Sequence, residues 1–188
     1  MEIRIAAAIT IALVVVAVIL TWAYRRRSTA RLEGQFGPEY DRLLAEYRSR
    51  RRTEAELEAR LRRVKALHIH PLDPKKRLQL TDAWQATQTG FADDPRGSVA
   101  AAERLVAEAL EARGYSARDF DQCLADISVY HAHVAGDYRL ARDLSSQAGQ
   151  GRATTEDLRQ AMIHYRALLE DVLGERLSKQ EGHHERAA

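Results

Sequence analysis

The chain has one cysteine, Cys123, in 188 residues. No disulfide can form within it, and no thiol-rich metal site can be built from it. Proline is scarce: the only four, Pro38, Pro71, Pro74 and Pro95, all fall where helices begin or end. No run alternates apolar and polar side chains over strand length, so a half-buried sheet is excluded. Also missing are a nucleophile elbow, a phosphate loop with its lysine, a zinc-finger spacing and a nucleic-acid module with stacking aromatics. No catalytic residue and no cofactor is assigned. The chain reads as a non-enzyme without a nucleic-acid partner.

What is present begins with a long uncharged run. Ile5 to Tyr24 holds 20 residues and no charge. At ~1.5 Å per residue a helix of that length spans the roughly 30 Å hydrocarbon core of a bilayer. Ile5, Leu13, Val16 and Leu20 form the apolar body, and Trp22 and Tyr24 stand where interfacial aromatics lie. Arg25, Arg26 and Arg27 follow at once as a stop, with Arg31 beyond them, and these four are expected to face lipid headgroups. A cleaved signal peptide fits less well. The run exceeds the ~7–15 residues of a signal core, and no small-x-small site precedes the arginines. Arg25–Arg27 and Arg31 outweigh Arg4 and the amino terminus, so the domain is expected on the cytoplasmic side of the cell membrane, the alternative being a signal-anchor of the opposite sense, since few charges set the bias.

Charge divides along the chain. Residues 1–80 hold 17 Lys+Arg and 9 Asp+Glu, net +8, whereas residues 81–188 hold 12 and 18, net −6. The basic half adjoins the anchor.

The remainder predicts an all-α fold: an N-terminal transmembrane helix and then a bundle of five or six helices with short connections. The expected divisions are an anchor over 1–27, a juxtamembrane linker over 28–37, a helical domain over 38–177 and a polar tail over 178–188. Pro38 opens a helix at its favoured first position. Its stripe is Tyr40, Leu43, Tyr47, Leu57, Leu61 and Val64, with a break near Arg50–Thr53 if Thr53 and Glu56 form a capping box. The stripe approximates a heptad seam, so a second copy of the chain is a candidate partner. Asp73-Pro74 and Asp94-Pro95 start two further helices, the second ending at Gly114. Ser116 is expected to cap a fourth helix, with Phe120, Cys123, Leu124 and Ile127 inward. A fifth is expected over about His131 to Ala148. Thr154 or Thr155 caps the last, whose stripe is Leu158, Ala161, Met162, Tyr165, Leu169 and Val172. Trp84 is expected to contact that last helix.

Several phrases resemble a family of uncharacterised bacterial proteins. They are Phe36-Gly37-Pro38-Glu39-Tyr40-Asp41-Arg42, Phe91-Ala92-Asp93-Asp94-Pro95, Arg113-Gly114-Tyr115, Asp126-Ile127-Ser128-Val129, and Thr155-Glu156-Asp157-Leu158-Arg159-Gln160-Ala161 with Tyr165-Arg166. Members of that family are small, helical, and single-pass or exported. The likeness spans about residues 36–173 and implies no activity and no site residues.

Three patterns bear on chemistry. His68 with His70, and His131 with His133, form two i,i+2 pairs that would suit zinc, copper or nickel in a ligand or metal sensor. A helix turns such pairs to different faces, so hinge and capping roles are the plainer reading. Asp126, Ser128 and His131 have the residue types of a hydrolase triad but are too close in sequence for relay geometry. Arg48, Arg50–Arg52, Arg60, Arg62, Arg63 and Lys65 extend the basic segment, and of these Arg60–Lys65 read as a solvated helix face, with Glu54, Glu56 and Glu58 offsetting part of the charge. The function expected from all this is a membrane-tethered helical domain that binds or organises another, unidentified protein at the lipid surface.

Overall fold

A computed structural model describes residues 15, 16, 19, 20, 22 and 26–174. Ile5, Leu13, Tyr24, Arg25 and the tail from Ser178 lie outside the described residues. Every regular element described is helical. We number them α1 (26–36), α2 (Pro38–Tyr47), α3 (Arg50–Ala66), α4 (Pro74–Gly90), α5 (Pro95–Ala112), α6 (Phe120–Ile127), α7 (Ala132–Gly149) and α8 (Thr155–Leu173). Among the described residues seven helices run from Pro38 onward, not five or six. The extra one arises because Arg48 adopts a left-handed conformation (φ 48°) and ends α2. The restart is three or four residues earlier than the Thr53–Glu56 capping box predicts. Ser49 Oγ accepts from Arg52 N at 3.5 Å, while Thr53 is buried inside α3.

The chain forms two compact units, Met1–Leu57 and Glu58–Ala188. In the first unit the expected linker is helical. Leu32 and Phe36 of α1 are fully buried, as are Tyr40 and Leu43 of α2 and Leu57 of α3. Gly37 (φ 47°) supplies the backbone conformation between α1 and α2, one that side-chain-bearing residues rarely adopt. Thr29 Oγ1 donates to Glu54 Oε1 at 2.5 Å, joining α1 to α3 across 25 residues. Tyr40, Leu43, Leu57 and Val64, the body of the proposed heptad seam, are all buried in the single chain. A seam for a second copy would have to expose them.

In the second unit the helix starts follow side-chain oxygens that satisfy orphan backbone donors. Asp73 accepts from Lys75 N and Lys76 N, and Asp94 from Gly97 N. Asp119, not Ser116, caps α6, accepting from Gln122 N at 2.8 Å. Thr154 and Asp157 form a reciprocal capping box on α8. Gly174, left-handed at φ 79°, ends α8. Helix α5 is central: α4, α7 and α8 pack on it, and α7 and α8 make the most extensive pair. Trp84 is buried on α4, whose main packing partner is α5, not the last helix. The core joins Leu80, Val106, Leu110, Ile127, Tyr138, Tyr165, Leu168 and Leu169 into one apolar cluster.

Candidate functional site

Helices α7 and α8 run antiparallel, because His133 meets Asp171 while Asp137 meets His164. Their seam holds a cluster of paired histidines and carboxylates. Asp171, buried near the end of α8, accepts hydrogen bonds from two imidazoles. His131 Nδ1 contacts Oδ2, and His133 Nε2 contacts Oδ1 at 2.8 Å. His131 is buried and precedes the first turn of α7; its ring reaches across to α8 and does not cap its own helix. His133 is 58% exposed.

The electrostatics are consistent with this placement. Burial works against charge on Asp171. The hydrogen bond and charge of His131, joined by those of His133, outweigh it and hold the carboxyl below its usual value. An ionised carboxylate can only accept, so His131 donates a proton from Nδ1 and His133 one from Nε2. Nε2 of His131 is buried with no partner, and the Tyr115 ring stands edge-on at 6.1 Å between centroids. Asp171 sits at the negative end of α8 but bonds residues at the start of α7, where the helix dipole is positive. The cluster clips the start of α7 to the end of α8.

This assignment separates the residues that suggest a triad. His131 pairs with Asp171, not Asp126. Asp126 accepts from Arg63 Nε at 3.0 Å and from Gln122 Nε2 at 2.9 Å. Ser128 Oγ donates to the Ala125 carbonyl at 2.7 Å and accepts from Arg60 at 3.2 Å. Arg60 is therefore not part of a solvated face. It is buried, and with Arg63 it ties α3 to the end of α6 within the second unit. Cys123 is buried on α6. Burial, with Asp126, Glu111 and Asp119 adding, pushes its thiol up to about 12.

His68 and His70 lie exposed in the segment between α3 and α4. The backbone there is held to the end of α5: His70 N donates to the Arg113 carbonyl at 3.1 Å. Among the described residues no three His, Cys, Asp or Glu side chains are placed to hold a metal ion. Each imidazole of the second histidine pair instead donates to Asp171. No local spacing ties Asp171 to His131, which lies 40 residues away. Its one signal is its position, a carboxylate beside Val172 on the most regular apolar stripe of the chain.

In the first unit, Val16, Leu20 and Trp22 are helical and 52%, 63% and 61% exposed. The Arg26 guanidinium lies 5.3 Å from the centre of the Trp22 ring. Arg26, Arg27 and Arg31 are exposed on helix. Among the described residues no helix is long and apolar enough to cross a membrane. Comparison of the chain with protein-family models, curated proteins and solved structures finds no match.

Proposed function

We propose that the chain is a single-pass membrane protein whose helical domain binds another protein at the cytoplasmic surface, with no chemistry of its own. The observation that carries the tether is the row Val15, Val16, Ile19, Leu20 and Trp22, helical and at least half exposed. Water disfavours such a row, and hydrocarbon accommodates it at ~0.8 kcal/mol per buried methylene. Arg26 over Trp22 suits the headgroup level, where an aromatic ring and a cation both find partners. The arginine excess on the C-terminal side of the run supports an inward-facing domain.

For the partner face, the antiparallel register of α7 and α8 sets Leu140 opposite Ile163. They are 50% and 45% exposed, beside the seam that Asp137 and His164 bridge. This pair lies in the acidic half of the chain. Photo-crosslinking from positions 140 and 163 of the full chain in native membranes tests the reading. One discrete adduct, lost in L140D/I163D, is expected. Equal labelling from exposed Leu78 on α4, or no adduct from either position, contradicts it.

A further inference from the structure

The strongest feature that this reading leaves unused is the arginine run Arg48-Ser49-Arg50-Arg51-Arg52. It forms the turn from α2 to α3, and all four arginines are exposed. The sequence alone places it more than twenty residues beyond the stop arginines. The first unit brings it back. Thr29, two residues after Arg27, donates to Glu54 in the second turn of α3. Arg50 lies one turn before Glu54, so it stands within about 6 Å of that contact along the α3 axis. Packed helices lie about 8–10 Å apart, which puts the turn beside the start of α1. Tyr40 supports the same arrangement. Burial raises its phenol, and the charges of Glu54 and Arg50 on α3 and Glu33 on α1 all act on it.

Three acidic side chains of the unit have partners outside the arginine run. Glu39 and Glu46 pair with Arg42 at 2.8 and 2.7 Å, and Glu54 accepts from Thr29. We infer that Arg48 and Arg50–Arg52 join Arg26, Arg27 and Arg31 in one basic surface at the base of the first unit, and that it binds the anionic phospholipid headgroups of the bilayer. This rests on the tether reading for its geometry. Charge complementarity and continuity with the stop arginines select lipid as the occupant. Each charge brought to an anionic surface is worth about fivefold in partitioning, so three contribute about a hundredfold.

The test uses the full chain in nanodiscs of phosphatidylcholine alone or mixed with phosphatidylglycerol, and vesicles of the same lipids. Ser49→Cys carries an environment-sensitive dye, Cys123 staying unlabelled in the core, and the lipid headgroups carry a quencher. Quenching is expected in the anionic discs, is screened by salt, and disappears in R50Q/R51Q/R52Q while the fold is unchanged. T29V should weaken it by loosening α1 from α3. Insertion into both kinds of disc with equal quenching overturns the inference and leaves the tether standing. Failure to insert, with arginine-dependent and salt-sensitive binding to anionic vesicles, overturns the tether and upholds the basic surface. Neither insertion nor vesicle binding overturns both. Retention of nucleic acid through these arginines, without lipid-dependent quenching, overturns the lipid assignment.

Discussion

His131 and Asp171 are 40 residues apart in the chain and share a hydrogen bond inside it. The pair fixes the α7–α8 register at the end where both helices would otherwise fray. Asp171→Ala leaves the His131 Nδ1–H buried without an acceptor, and removes the bond from His133. A loss of about 2–3 kcal/mol is expected. Thermal melting of the purified protein should show a fall of several degrees. His133→Ala, at an exposed position, should cost less than about 1 kcal/mol.

The same carboxylate sets an acid limit. Its pKa is lowered in the fold, so the unfolded chain binds the proton more tightly. The stability it contributes is complete above the unfolded value of about 3.9 and is lost as pH falls through the lower folded value. The gap between the wild type and Asp171→Asn in denaturant titrations should therefore be full above about pH 5 and shrink as pH falls below about 4. A gap that stays constant down to pH 3 would assign the effect to packing.

Gly114 is a second point of rigidity. Its φ is +98°, and a Cβ there would stand 2.5 Å from the His68 carbonyl oxygen. That oxygen is backbone in the α3–α4 segment, already tied to α5 by the His70–Arg113 bond. Gly114→Ala should destabilise by about 2 kcal/mol or more, through both the left-handed conformation and the clash. Amide exchange around residues 67–72 should accelerate in the variant.

Two groups of arginines in α3 have opposite fates. Arg60 is buried against Ser128 and Arg63 bonds Asp126. Arg60→Ala should lower stability by about 1–3 kcal/mol and leave lipid binding unchanged. The triple Arg50–Arg52 change should do the reverse. Melting curves and vesicle sedimentation on the same samples separate the two.

Cys123 gives a folding reporter. With its thiol pushed up to about 12 and no exposed surface, it should resist alkylation in the native protein at pH 8. It should react at once in denaturant. Rapid native labelling would show that α6 opens readily.

Helix type and most helix starts were legible in the sequence because they depend on neighbours. Asp73-Pro74, Asp94-Pro95 and Thr154-Asp157 act within one turn, and the α8 stripe repeats at helical spacing. Ser116 does not cap α6, because Asp119, three residues on, is the acceptor for Gln122 N. The sequence predicts a linker where α1 lies because Gly34 and Gly37 sit among polar residues. Its two large apolar side chains, Leu32 and Phe36, are one turn apart and gain their burial from packing. The His131–Asp171 clip, Arg60–Ser128 and Thr29–Glu54 join residues 25 to 68 positions apart. Pairing at such distances is decided by tertiary packing, and no local spacing encodes it.

The most direct test of the central claim is membrane fractionation of cells producing the full chain. Membranes are washed with high salt and then with alkaline carbonate, and the protein is followed in pellet and supernatant. A chain tethered through Ile5–Tyr24 stays in the pellet through both washes and leaves only with detergent. Release by carbonate, or recovery in the soluble fraction from the start, would contradict the tether.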